Sequence, residues 1–327
     1  MKIIFTILTI IIGFSANAQP GYIRTSVNLN DLLKNDASLN QQYPNTYQLS
    51  IIIDSSTTDF SKLELLKSHK ELYFDIRTTH IPKEFNTVAF DSINKLVLSC
   101  NDITTDLSNL KGFKQAKEIS IQNFSGTKLQ NNFRDFVHLE SLHIQKSENI
   151  KDIDCLKNII SLRFLTIDCT NLNKFPVFNK KVQISNLLLT NVHDDLDFKN
   201  LNSLQNLGGI EISIHKELKE FPDYLSRNLK QIKISGNIQS ISNLTFYPNL
   251  EYIRIGNTAL ERFDINFNGN TSIKNIGISN NPKLHNIDAV YSCAELEYLL
   301  LSGLPALEAF DLKNLNLKKG LTIMGTG

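Results

Sequence analysis

Tryptophan is absent from this chain of 327 residues, and cysteine occurs only four times. Tyrosine and phenylalanine therefore carry all of its aromatic content. An excess of charge of one sign is also missing: 34 basic residues stand against 33 acidic ones, a formal charge of +1. A polyanion or an anionic membrane calls for a basic excess, so neither nucleic acid nor a charged bilayer is expected as partner. Cys100, Cys155, Cys169 and Cys293 lie far apart and form no CxxC pair. They read as small buried hydrophobes, with a Cys155–Cys169 bridge and zinc ligation as the sharper alternatives. A chain of this length can bury enough core to do without disulfide staples. The signatures GxSxG, HExxH, GxGxxG and the P-loop are missing, and no carboxylate pair stands apart from ordinary surface. No catalytic residue, cofactor or metal is expected, and the chain does not read as an enzyme.

Long apolar runs are missing as well, except at the start, which reads MKIIFTILTIIIGFSANAQP. Lys2, the apolar stretch from Ile3 to Phe14, and Ala16-Asn17-Ala18 follow the order of a secretory signal and its cleavage site. The stretch is well short of the roughly 20 residues that span a bilayer. Gln19 stands where a lipoprotein would carry cysteine. Residues 1–18 are thus expected to be a signal peptide. The mature chain is expected to be exported, as a periplasmic, secreted or surface-associated protein, without a lipid anchor or a transmembrane segment.

What is present is a rhythm. In NIKDIDCLKNIISLRFLTI, residues 149–167, apolar side chains recur three apart at Ile150, Ile153, Leu156, Ile159, Leu162 and Leu165, and then two apart at Ile167. A helix has a period near 3.6 and a strand a period of two. The same pattern returns from Leu107 to Ile121, from Ile238 to Ile255 and from Leu284 to Leu301. The short alternating pieces begin at Leu49, Leu72, Leu96, Ile119, Leu142, Leu165, Leu187, Ile210, Ile232, Ile253, Ile276, Leu299 and Leu321. Successive gaps run from 21 to 24 residues.

A period in this range with an LxxLxL core resembles the leucine-rich repeat family, from about residue 45 to the end. Ile93, Leu96, Leu98 and Asn101, in INKLVLSCN, are the best match to LxxLxLxxN. Asn191 and Asn257 fall one place early, while Phe124, Ser147 and His215 replace the asparagine. The resemblance implies an α/β-type repeat fold: a solenoid of about thirteen coils with one short strand per coil, stacked into a parallel concave sheet. Polyproline and 3₁₀ segments both turn every three residues, so either keeps every third side chain inward on the return limb. The convex side should therefore be 3₁₀ and extended rather than α-helical, as in the class with repeats of 22–23 residues that bacterial internalins resemble. Pro82, Pro176 and Pro222 all fall outside the LxL pieces, as a central strand requires. The leader ending in ANAQ and the Asn/Ile/Lys-rich composition look bacterial.

Residues 19–44 are read as an N-terminal cap in which Asn30 or Asp31 starts a short helix carrying Leu32 and Leu33. The solenoid is assigned to residues 45–327. At the other end LTIMGTG leaves Leu321 and Ile323 uncovered. Blunting by glycine, pairing with another copy and continuation of the chain are three open readings. On the repeat register His138 lies on a return limb and His143 on a strand, so HLESLH does not place two ligands on one face. GISNN and SGN are turn sequences, because they follow strands.

With no chemistry visible, the outward side of the sheet is the place to look. The middle residue of each LxL points away from the core, as do the residues flanking the triplet. That column places Lys233 beside Arg254, with Tyr252 and Tyr298 flanking them, and a second cluster of Phe164, Thr166 and His143. Exposed aromatics with arginine are the composition of an interface anchor. The family resemblance implies recognition of a protein partner through the concave sheet. A glycan-binding adhesive protein is the alternative, as is the recognition portion of a longer receptor or enzyme.

Overall fold

The computed structural model describes residues 23–32, 46–68, 71–88, 90, 95–101, 107–169, 171–191, 196–267, 272–308, 311, 313, 315 and 317–326. The expected signal peptide and most of the expected cap lie outside them. Fourteen strands form one sheet in strict chain order. They are β1 (Ile23–Asn28), β2 (Thr46–Ile53), β3 (Glu71–Ile76), β4 (Lys95–Asn101), β5 (Glu118–Gln122), β6 (Ser141–Gln145), β7 (Phe164–Asp168), β8 (Asn186–Thr190), β9 (Gly209–Glu220), β10 (Gln231–Ser240), β11 (Tyr252–Thr258), β12 (Asn275–Ser279), β13 (Tyr298–Leu304) and β14 (Gly320–Thr326). Every neighbouring pair is parallel. Consecutive parallel neighbours require the chain to return along the other side of the sheet after each strand, which makes each repeat one coil.

The period of three has a direct backbone cause. Leu156 donates its N–H to Ile153 O, Ile159 to Leu156 O, and Leu162 to Ile159 O, at 3.0–3.2 Å. The series repeats at Leu201, Leu204 and Leu207, at Leu244, Tyr247 and Leu250, and at Val290, Cys293 and Leu296. Each bond spans three residues and starts from an apolar one. The side chain that points inward therefore sits on the residue whose N–H is already satisfied. The return limbs carry short 3₁₀ turns such as Asp154–Asn158 and Ser242–Phe246. No α-helix occurs among the described residues.

The seven residues on that rhythm, Ile150, Ile153, Leu156, Ile159, Leu162, Leu165 and Ile167, are at most 2 % exposed, whereas Ile160, which falls off it, is 52 % exposed. They join one core that runs the length of the stack from Leu29 to Leu304. Near its start, Phe74, Phe85, Phe90 and Phe113 pack ring against ring, with centroids 4.7–6.1 Å apart. Gly112 permits that contact: a Cβ there would lie 1.8 Å from Phe85 O.

Two features differ from the expectation. The sheet begins one strand early, because β1 pairs with β2 through Thr25↔Leu49 and Val27↔Ile51. Asn28, rather than Asn30 or Asp31, precedes the first short turn, its side chain accepting from Asn30 N, and the turn is a 3₁₀ segment over Leu29–Asp31. Second, Ile119 pairs with Leu98 and not with Leu96. On β3 Leu72, Phe74 and Ile76 are all buried, and in the ladder they pair with Leu96, Leu98 and Cys100 on β4. The repeat that follows starts one inward step later. From β5 onward the first residues align without a slip, from Ile119↔Leu142 to Leu299↔Leu321.

Left-handed positions at or near the ends of eight inward pairs explain the irregular asparagines. Asn123, Lys146, Asn191, Gly236, Asn257, Asn280, Gly303 and Gly325 all have φ between 48° and 97°. This is the left-handed region, where Asn and Gly are the residues least penalised. The next residue enters the coil. Asn281 is fully buried there. Its Oδ1 accepts from Thr258 N at 2.9 Å and Thr258 Oγ1 at 2.5 Å, and its Nδ2 donates to Ser279 O at 3.0 Å and Ile255 O at 3.4 Å. Ser147 plays a reduced version of this part, accepting from Phe124 N and donating to Gln145 O.

Candidate interaction surface

The outward face of the sheet is three residues wide. Its middle row runs Ser120, His143, Thr166, Leu188, Glu211, Lys233, Arg254, Gly277, Leu300 and Thr322 from β5 to β14. Across β4 the row continues to Ser99; Val97 pairs with Glu118 instead, which corrects the row read from sequence. The face is unevenly open. Ser50, Val97, Ser99 and Thr166 are buried although they point outward, whereas Arg254, Tyr298 and Thr322 are exposed.

The structure brings Lys233 and Arg254 side by side on β10 and β11. Tyr252 lies on the same face of β11 as Arg254, two residues away. Tyr298 is two strands on, with Asn275 between the tyrosines in the ladder. Lys233 is not a free cation: its Nζ lies 3.2 Å from Glu211 Oε2. Tyr298, at 49 % exposure, carries Lys319 Nζ 5.7 Å from its ring centroid, and Lys319 is also paired with Glu297 at 2.7 Å. The Lys319 contact was not visible in sequence, because it is set by the stacking of the next coil.

The second expected cluster also assembles. His143 pairs with Thr166 in the ladder, and His143 Nδ1 and Thr166 Oγ1 share a hydrogen bond of 3.0 Å. Phe164 stands beside Ser141 and is half-buried. Burial lowers the His143 pKa below its ordinary value of 6.5, an effect opposed in part by the charge of Glu118 on β5. From β6 to β11 the two clusters are about 24 Å apart at the usual strand spacing. His138 is exposed on the turn before β6, away from His143 on the strand.

Ion pairs run along the edge where the chain enters the strands. Glu251 lies 3.3 Å from Lys230 and 3.5 Å from Lys274. Lys117 and Glu140 pair likewise at 3.5 Å. The Lys230 hydrogen bond is the main reason the Glu251 carboxyl titrates below its ordinary value of 4.5.

Elsewhere there is little to build chemistry from. The four cysteines are buried and free, their thiols pushed up to about 12 by burial. Among the described residues no three His, Cys, Asp or Glu side chains are grouped to hold a metal. None of the helices among them is long and apolar enough to cross a membrane. A cavity of about 390 Å³ on the return side is lined by Lys128, Arg134 and Lys157 together with Asp152 and Asp154, so its charges largely offset one another.

No protein-family model matches the chain, and no curated protein matches it. Solved structures do match. An internalin of Listeria monocytogenes is 17 % identical with a TM-score of 0.62, over 90 % of this chain and 91 % of that one. A leucine-rich repeat protein of Leptospira interrogans is 16 % identical with a TM-score of 0.63, over 94 % and 85 % of the two chains. The TLR13–ssRNA13 complex contains a chain 15 % identical with a TM-score of 0.62, and the match spans 94 % of this chain but half (50 %) of that one. At these identities the likeness is one of fold. The unbroken parallel ladder and the 3₁₀ return limbs agree with it: the chain is folded as a leucine-rich repeat solenoid.

Proposed function

We propose that the protein is a non-enzymatic binding module that works outside the cytoplasm and recognises a protein partner through the outward face of its sheet. The observation that carries this reading is the grouping of Arg254, Tyr252 and Tyr298 on β11 and β13, in the more open half of the face. The ladder holds these side chains in place before any partner arrives, so binding orders little of the protein itself. Phe164 and His143 offer a second, more buried contact. The leader at residues 1–18 supports export.

Neighbours of the same fold were solved with ligands of different kinds, an RNA in the TLR13–ssRNA13 complex and AtPEP1 in the PEPR1–AtPEP1 complex. An RNA partner is disfavoured here by the mixed charge of the face and the net charge of +1. A glycan partner is disfavoured because Tyr298 has Lys319 over its ring and Gly320 at its edge, so it offers no open stacking platform. Capture of binding proteins from the native cell envelope by immobilised mature chain tests the reading. Arg254→Glu is expected to reduce recovery of the specific partner at unchanged melting temperature. Equal recovery by Arg254→Glu and by Tyr252→Ala would remove this face from the function.

A further inference from the structure

On the reading that this face binds a protein, we infer that the group it recognises is a carboxylate of an acidic, extended segment, held by Arg254 lying over Gly277. The cations on and beside the face from β10 to β14 are mostly spoken for. Lys233 is paired with Glu211, Lys230 and Lys274 with Glu251, and Lys319 with Glu297. Arg254 is exposed and forms no ion pair among the described residues. Six cations in this region (Lys230, Lys233, Arg254, Lys274, Lys318, Lys319) meet four carboxylates (Glu211, Glu251, Glu295, Glu297) in a protein that is otherwise balanced.

The Arg254 stem also runs beside a glycine. A Cβ built on Gly277, its neighbour on β12, would come within 3.6 Å of Arg254 Cγ, so the arginine stem lies over the glycine. A planar guanidinium presents paired donors suited to a carboxylate. Beyond it the third row is made of small residues: Ser235, Gly256, Ser279 and Ser302. A main chain can approach closely along that lane. Tyr252 supplies the apolar wall on the other side. Acidic side chains on an extended segment fit this arrangement better than a bulky folded surface does.

The test uses fluorescein-labelled, end-capped hexaglutamate, with hexaglutamine as the neutral control, and anisotropy titration against the mature chain at low and moderate salt. Hexaglutamate is expected to bind and hexaglutamine not. Arg254→Gln should lose about tenfold in affinity, or roughly 1.4 kcal/mol. Gly277→Val should lose several-fold with no change of charge, because its branched side chain takes the space of the arginine stem. Lys233→Gln, which removes the same charge from a paired lysine, should lose much less than Arg254→Gln. Equal losses in those two variants would reduce the effect to bulk charge and overturn the inference, as would no binding of hexaglutamate. If hexaglutamate fails while envelope capture still depends on Arg254 and Tyr252, the face binds a partner by other chemistry; if both fail, the face is not the site.

Discussion

Asn281→Ala removes one side chain that ties together four groups in two coils. Its Oδ1 is the acceptor for Thr258 N and Thr258 Oγ1, and its Nδ2 bonds Ser279 O and Ile255 O. The residue is 0 % exposed and Thr258 is 4 % exposed, so water cannot replace the lost partners without opening the turn. A buried donor left unsatisfied costs about 1–3 kcal/mol, and carbonyls that keep another partner cost less. The cavity left by the amide adds to this. The expected loss is about 3 kcal/mol, read by urea unfolding of the mature chain followed by far-UV circular dichroism. Ser147→Ala, at the same turn position with two bonds instead of four, should cost about 1 kcal/mol. A solenoid can unfold coil by coil, so hydrogen exchange gives the sharper readout. The amide of Thr258 should lose protection in Asn281→Ala before amides near Ile119 do. A loss under about 1 kcal/mol, or equal losses in the two variants, would refute the reasoning that buried bond count at this position sets the cost.

Two predictions concern pH. Glu251 titrates below 4.5 in the folded chain, mainly through its bond to Lys230, so its contribution is present above 4.5 and is lost as pH falls through the folded value. Glu251→Gln should flatten the stability profile on the acid side, in a pH series of urea midpoints, with a modest loss at pH 7 that vanishes toward acid pH; an unaltered acid slope would mean that the rim pairs do not couple to folding. His143 titrates below 6.5 because burial disfavours its charged form, so stability should rise as pH climbs through the window up to 6.5. An NMR titration of the imidazole should give a midpoint under 6.5, and His143→Gln should remove that part of the slope; a midpoint above 6.5 would show Glu118 outweighing burial.

The stack was legible because its cause is local. On the return limb the inward residues Leu156, Ile159 and Leu162 each carry an N–H bonded three residues back, so the run from Ile150 to Leu165 writes the coil into the sequence. Register was legible at every step but one: Leu49, Leu72 and Leu96 pair as read, and the ladder runs true from Ile119 onward. Between β4 and β5 the alternation in LVLSC does not say which residue continues the row, and the next coil chose Leu98 for Ile119. β1 hid for a related reason: IRTSVN carries no LxL, and only pairing with Leu49 and Ile51 defines it. Asn281 was in view inside GISNN, but the turn residue Asn280, with φ 54°, masks the inward one that follows it.

The outward face was less legible, and the reason bears on function. Inward residues are dictated by stacking, so their identity reports the fold alone. Outward residues are constrained only where a neighbour in the next coil needs them, and those needs can be subtracted once the ladder is known. Lys233 is then explained by Glu211, Lys319 by Glu297 and Tyr298, and His143 by Thr166. Sequence reading set Lys233, Tyr298 and His143 beside Arg254, because a partner 22 residues away, such as Glu211 for Lys233, does not announce itself. After the subtraction Arg254 remains as a charge on β11 that no described neighbour compensates, laid over a glycine that no core contact requires. An exposed cation that no described ion pair uses, on a face whose other charges are mostly paired, is the strongest argument this surface offers for the proposed partner.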